Sequence, residues 1–488
     1  MELLDIIANS GGIKENSRFT VAIIGGGFAG TTLAAQLLRQ SDDSVSIVLI
    51  ERTAFPGRGI AFGTQFDGHL LNVRAQNMSA YPELPDHFVR WTQVNYDSSV
   101  KPCDFLPRRV YGQYVLSLLQ EESKLNPGRF HCVQDEANSL SQVGEIAKIK
   151  LRSGRTIFAD KVVLALGNFP PANLPLPGKT SASPRYIANP WSSNPSRYID
   201  GRSVLLVGSG LTAVDVAIEL RAWGFEGTIN MLSRHGLLPQ THKAAVPVPL
   251  FWNKNSPRTA RGLLRVIRAE INAAAAHGSN WRAVIDAIRP VTQEIWRSLP
   301  QAEKRRFLRH VRAYWEVHRH RVAPQIGGQL DSQVLSGEIQ NHAGRITAYD
   351  EDSDGVTVSY RNRKNGETSR LRVDRVINCT GPESDIRRIS SPLLSSLLQQ
   401  KLICPDALFM GLDVSQNGAL IGADGAASGF LYTVGSSRKG TLWETTAVPE
   451  IRVQVKELAT LILMQRDRKD PECLQLELAG LSGAGKES

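Results

Sequence analysis

Six consecutive residues, Gly25-Gly26-Gly27-Phe28-Ala29-Gly30, carry the spacing G-x-G-x-x-G directly after an apolar run at residues 20–24. Glycines at that spacing meet three needs: Gly25 allows the tight bend, Gly27 lets a pyrophosphate approach the backbone, and Gly30 permits close helix–strand packing. A helix through Leu33, Leu37 and Leu38 would then point its unpaired N–H groups at the phosphates. A second apolar run at residues 45–50 ends in Glu51, twenty-six residues after Gly25, where a carboxylate accepts hydrogen bonds from ribose hydroxyls. The order strand, turn, helix, strand, acid separates this pattern from a glycine-rich turn that ends beside an acid by chance.

The pattern recurs at Gly208-Ser209-Gly210-Leu211-Thr212-Ala213, after the apolar run 204–207, with Ala213 in place of the third glycine. The next apolar run, residues 228–232, leads to Ser233-Arg234-His235, and Arg234 stands twenty-six residues after Gly208. A cation therefore occupies the place that Glu51 holds in the first pattern. A carboxylate there would repel a 2′-phosphate, whereas a guanidinium holds one through charge-assisted bonds, so Gly208, Gly210, Ala213 and Arg234 read as an NADPH site. The bland alternative for Arg234 is a solvated residue at a strand end.

Two dinucleotide sites of opposite charge at the ribose end imply one bound FAD, at Gly25, Gly27, Gly30 and Glu51, and one exchangeable NADPH. The elements that position them follow from the remaining apolar strands. Residues 162–166 run into Gly167, and residues 376–380 run into Gly381, each a plausible crossing between domains; Gly381 is assigned to the FAD side. The expected fold class is α/β, with two Rossmann-like dinucleotide-binding domains, the NADPH domain inserted in the FAD domain and itself carrying a helical insertion. The expected boundaries are an N-terminal extension 1–17, FAD domain 18–175 and 376–465, NADPH domain 176–250 and 326–375, basic helical insertion 251–325, and a tail 466–488.

With these motifs in place the chain resembles the two-dinucleotide-binding flavoproteins of glutathione-reductase-like architecture. It is closer to the FAD/NAD(P)-binding flavoprotein family that contains an FAD-dependent urate hydroxylase. The segments that carry this resemblance are 57–64, 69–73, 107–112, 233–239 and 440–452, and it covers most of residues 18–465. An F-x-G-x-x-x-H stretch, the mark of Baeyer–Villiger and flavin-containing monooxygenases, is missing. The resemblance implies that Thr446, before a helix expected at about 447–463, lies on the FAD side. It also implies that this helix directs its N-terminus at the flavin pyrimidine edge, where its dipole would stabilise an anionic ring. Asn72, in a mixed loop after the first two strands, is a candidate for the flavin ring or the substrate; satisfying a local turn is its alternative.

The chain has 488 residues and a formal charge of +10. Residues 256–325 hold 14 Lys plus Arg against 5 Asp plus Glu, so nearly all the surplus sits in one stretch that reads as helices. Within it Phe307, Val311, Tyr314, Trp315 and His318 recur at helical spacing, with Arg305, Arg309, Arg312, Glu316 and Arg319 expected on the opposite, solvated face. His320 and Arg321 are candidates for a substrate-side or NADPH-phosphate role; a solvated face is the blander reading. Nucleic-acid binding is weakened because the aromatic residues fall on the apolar face.

Five cysteines, without a closely spaced pair, weigh against dithiol–disulfide chemistry, and no metal-ligand or hydrolase motif occurs. No apolar run approaches the roughly 20 residues of a membrane span, and the N-terminus lacks a basic start, so the chain reads as cytoplasmic. The reading that follows is an oxidoreductase, an NADPH-consuming FAD monooxygenase that uses dioxygen to hydroxylate a small organic substrate. Its alternatives are an NADPH dehydrogenase or oxidase without hydroxylation, and a flavin-bearing sensor that contacts nucleic acid through the insertion. The sequence leaves the oligomeric state open.

Overall fold

The computed structural model describes residues 18–178, 183–192 and 201–467. The expected extension 1–17 and most of the expected tail lie outside these residues. Strand β1 (Phe19–Ile24), helix α1 (Phe28–Gln40) and strand β2 (Val45–Glu51) form the first strand–helix–strand unit. Helix α2 (Arg108–Leu125) and strand β3 (Phe130–Gln134) extend it. Strands β4 (Ala137–Val143), β5 (Ile146–Leu151) and β6 (Thr156–Ala159) make a separate antiparallel sheet before β7 (Lys161–Leu164) returns to lie beside β1.

The second unit opens with the short strand β8 (Tyr186–Ile187), then β9 (Ser203–Val207), α3 (Leu211–Ala222) and β10 (Thr228–Ser233). The insertion follows as α4 (Ala260–Ala276), α5 (Trp281–Ile288), α6 (Thr292–Ser298), α7 (Gln301–His310) and α8 (Arg312–Arg319). Helix α9 (Pro324–Leu335) resumes the nucleotide-binding topology and feeds β11 (Ile339–Glu351), which lies parallel to β10. Strands β12 (Val356–Asn362), β13 (Thr368–Val373) and β14 (Arg375–Asn378) complete this part, and β15 (Ala419–Ile421), β16 (Ala427–Thr433) and α10 (Val448–Asp467) close the chain.

The first sheet has the order β15-β16-β7-β1-β2-β3, parallel except for β15. The second has the order β13-β12-β11-β10-β9-β14-β8, with β11 to β13 an antiparallel meander at one edge. Both central strands are buried on both faces, as a covered parallel strand must be. Val21 and Ile23 pack with Leu33 and Leu37 of α1, while Ala22 and Ile24 pack with Leu140 and Ile149 of the antiparallel sheet. In the second domain Val204 and Leu206 meet Ala213 and Ala217 of α3, and Leu205 and Val207 meet Val356 and Val358.

Two expectations need correction here. Strand β14 pairs with β9 in the second sheet, so the chain leaves that sheet after Asn378 and not at residue 376. The apolar strand pattern marks a buried strand but not which of two buried sheets accepts it. Residues 305–319, expected as one amphipathic helix, are not one: Val311, at φ −112°, ends α7 and starts α8. The break rotates the second half, and Arg319, expected on the solvated face, is buried at 8% exposure.

Candidate functional site

The first glycine turn is closed by steric need. Gly25 has φ +107°, and a Cβ there would stand 2.4 Å from Ala165 O at the end of β7; a Cβ on Gly30 would stand 1.9 Å from Gly25 O. Gly27 is the N-cap residue of α1, with no capping side chain and no acid in the first turn. Among the described residues a Cβ at Gly27 would meet only Gly59 Cα, at 3.8 Å, so the space over the helix N-terminus admits a close backbone approach. Glu51, at the end of β2, accepts a 2.6 Å bond from Gly26 N through Oε2 and bonds from Thr53 N and Oγ1 through Oε1.

Segments separated in sequence converge on this turn. Gly57 N donates to Gly26 O at 2.7 Å, and the Phe62 ring packs on Tyr111 at 4.6 Å and on Phe28 at 6.3 Å. At the other end of the chain Thr445 Oγ1 donates to Gly435 O, and Gln454 donates to Thr445 Oγ1, each at 2.8 Å. A Cβ on Gly435 would stand 3.8 Å from Ala29 Cβ, so the N-terminal end of α10 lies beside the first glycine turn. Thr446, between Thr445 and α10, is exposed.

The second turn repeats the geometry with an open mouth. Gly208 has φ +124°, and its Cβ would stand 2.3 Å from Cys379 O; at Gly210, the N-cap of α3, nothing among the described residues lies within 4 Å of a Cβ. Ala213 is fully buried against β9. Ser209 Oγ lies 2.7 Å from both Ser233 Oγ and Leu237 O, which ties the turn to the end of β10. Arg234 is exposed and has no hydrogen bond or ion pair among the described residues. His235 beside it has a buried Nδ1 without a partner. Burial, then Arg363, then Arg234 push the His235 imidazole below its ordinary pKa. Two cations and an orphaned ring nitrogen suit a phosphate acceptor there. Arg363 carried no sequence signal, because its place near Arg234 depends on the pairing of β10 with β11. Gly381, at φ +85° with open space at its Cβ, follows β14 and so stands next to this second turn.

Between the two domains lies a polar clasp that sequence reasoning missed. Arg108, at the start of α2, forks onto Asp215 of α3 at 2.7 and 3.0 Å and donates to Leu70 O. His69, 1% exposed, bonds Thr64 Oγ1 through Nδ1, and burial pushes its pKa down. Arg108 and His69 lie in segments already singled out by the resemblance, but Asp215 is an ordinary helix residue until the fold brings it there.

Asn72 is half-buried at this junction. Its backbone O accepts a 3.0 Å bond from His242 Nε2, and its side chain has no hydrogen bond among the described residues. Burial is the main cause that pushes His242 down to a pKa of about 4, so the ring is neutral there. Arg321 departs from expectation. It is 3% exposed, forks onto Asp286 at 2.9 and 3.0 Å, and donates to His318 O, so its guanidinium is committed within the insertion. His320 Nε2 lies 3.2 Å from Glu316.

The insertion folds back over the end of the first domain. Arg319 Nη2 lies 3.0 Å from Glu444 and 3.3 Å from Glu450; Arg289 bonds Glu450 at 3.0 Å; Trp315 Nε1 donates to Glu444 Oε1 at 3.1 Å. Cys103, Cys132, Cys379 and Cys404 are unpaired thiols, and burial pushes Cys132 up to about 11. No helix among the described residues is long and apolar enough to cross a membrane.

Two parallel sheets, each with a glycine turn at the end of its central strand, define a fold with two dinucleotide-binding domains. Residues 22–169 match the family model described as FAD-NAD(P)-binding. No curated protein matches the chain. Among solved structures, the chain is similar to an ornithine N-hydroxylase from Kutzneria sp. 744, solved with reduced FAD, NADP+ and L-ornithine, at 14% identity and TM-score 0.62 over 92% of this chain and 100% of that one. It is similar to an L-lysine 6-monooxygenase from Pseudomonas syringae at 16% identity and TM-score 0.62, over 91% and 99% of the two chains. A bacillithiol disulfide reductase from Bacillus cereus is more distant in shape, at 15% identity and TM-score 0.53 over 92% and 99%.

Proposed function

We propose that this chain is an FAD-dependent, NADPH-consuming monooxygenase that hydroxylates a small organic substrate. The observation that carries the reading is the pair of glycine turns, one closed beside a carboxylate and one open beside an unpaired guanidinium. The first suits a resident cofactor and the second an exchanging one. Similarity to amino-acid monooxygenases over nearly the whole of both chains supports the choice within this fold. The lack of a cysteine pair among the described residues favours it over a dithiol reductase.

FAD, when bound, supplies the redox chemistry between NADPH, dioxygen and substrate. The chain's own residues would hold and orient. The N-terminus of α1 would hold the pyrophosphate, Glu51 would accept from the ribose, and Arg234 with Arg363 would hold the 2′-phosphate. The Arg108–Asp215 fork ties the two domains together, and the insertion is bonded to Glu444 and Glu450 beside α10.

The test is to incubate the purified yellow protein with NADPH, labelled dioxygen and a panel of small amines, amino acids and aromatic acids. The expected result is substrate-stimulated NADPH oxidation with one labelled oxygen in the product. Stimulated oxidation without incorporation from any substrate would leave the dehydrogenase or oxidase reading in its place.

A further inference from the structure

The turn that leads into α10 is strained, and the side chains that hold it come from the insertion. Trp443 has φ +63° and ψ −68°, and Glu444 N donates to Leu442 O at 2.8 Å. This is the γ-turn of positive φ, a rare and strained conformation, here at a bulky residue where glycine is the usual solution. Such a conformation persists only where its surroundings over-determine it.

The surroundings do so at two points. The Trp443 ring stacks on Trp296 of α6 at 5.0 Å and 27°, meets the edge of Phe307 of α7 at 5.2 Å, and has the Arg312 guanidinium of α8 at 5.9 Å. Glu444, 4% exposed, is bonded by Trp315 and Arg319 through its carboxylate, and its backbone O accepts from Gln293 at 2.5 Å. Trp296 Nε1 donates to Gly440 O at 2.8 Å, just upstream. From Glu444 the chain passes to Thr445, Thr445 bonds Gly435, and Gly435 stands against Ala29 of the first glycine turn.

We infer that the insertion is an assembly device for the first nucleotide site: by clamping the strained Trp443 turn it holds the residue 445–447 approach to α10 against the glycine turn, with Arg319 as its principal positioning residue. The inference rests on the proposed FAD reading. It gives the insertion a role that neither a surface lid nor a polyanion-binding face would have. Arg319 suits that role because it is buried and is shared by two carboxylates, Glu444 at the turn and Glu450 in the first turn of α10. Removing it leaves both with less compensation in a place closed to water.

The test compares the full-length parent, Arg319→Met, Arg319→Lys and Val284→Ala. Val284, buried in α5, is a control that loosens the insertion without removing a bond to the turn. Arg319→Met is expected to weaken FAD binding at least tenfold and to shift the visible spectrum of the bound flavin. Arg319→Lys should recover most of the affinity, and Val284→Ala should lower Tm while leaving affinity and spectrum as in the parent. The inference is overturned if Arg319→Met binds FAD within twofold of the parent with the same spectrum, or if Val284→Ala loses as much affinity at an equal drop in Tm. If the parent itself binds no FAD, the proposed function fails separately. The clamp is then judged by hydrogen exchange at the Glu444 amide, expected to be slow in the parent and fast in Arg319→Met; equal protection overturns it.

Discussion

The two glycine turns are built alike as far as their helices and part company in what surrounds them. At the first, Gly30 sits so close to the turn that a Cβ would fall 1.9 Å from Gly25 O, Glu51 bonds Gly26 N, and the strand-following segment closes over the bend through Gly57. At the second, Ala213 is accommodated in full burial, nothing among the described residues stands within 4 Å of a Cβ on Gly210, and Arg234 is exposed. The third glycine is therefore a packing requirement at one site and dispensable at the other. Under the proposed function the difference would also separate a site that retains its ligand from one that releases it.

The largest test of this contrast is Gly30→Ala. The new methyl meets backbone, so we expect a loss of about 3 kcal/mol or more in denaturant unfolding and a chain purified without FAD. Parent-like stability would show that the first helix can shift from its strand to admit the methyl.

Next comes the seam between the regions, where His242 of the second domain bonds Asn72 of the first. Its folded pKa of about 4 lies below the ordinary 6.5, so the unfolded chain binds the proton more readily. The stabilisation is present in full above pH 6.5 and is lost as pH falls through 4, at about 3 kcal/mol in total. His242→Gln should flatten that slope in urea unfolding at pH 7, 5.5 and 4.

Arg234→Glu tests the charge difference itself. We expect kcat/KM for NADPH to fall and the NADPH/NADH ratio to drop about tenfold to hundredfold, the worth of a charge-assisted phosphate bond and its reversal. An unchanged ratio would remove Arg234 from the 2′-phosphate and leave Arg363 as the candidate.

The smallest effect belongs to Ala213→Gly. It recreates the first site's motif at the second and should cost only about 1 kcal/mol, the helix penalty of glycine, with NADPH affinity unchanged. A gain in affinity would mean that the third glycine serves the ligand and not the packing.

Both turns were legible because their chemistry is local. A positive φ, a buried apolar run and the residue at a strand end are all set within about thirty residues, and Gly25, Gly208, Glu51 and Arg234 fall where the spacing put them. The insertion was legible as helical and basic, since composition and periodicity also act locally. Its orientation was not. Reading residues 305–319 as one helix set Arg319 on the outside, and the break at Val311 and the burial against Glu444 reversed that.

By itself, then, the sequence determined two strand–turn–helix units, the opposite charges at their ends, and a cationic helical segment after the second of them. Tertiary structure alone decided that β14 joins the second sheet, that Arg108 meets Asp215, that Arg321 is spent on Asp286, and that the insertion grips Trp443 and Glu444. The physical reason is range. Dihedral preference and periodic burial are properties of neighbouring residues, whereas a buried charge finds its partner only when distant segments have been packed together and water has been removed from between them.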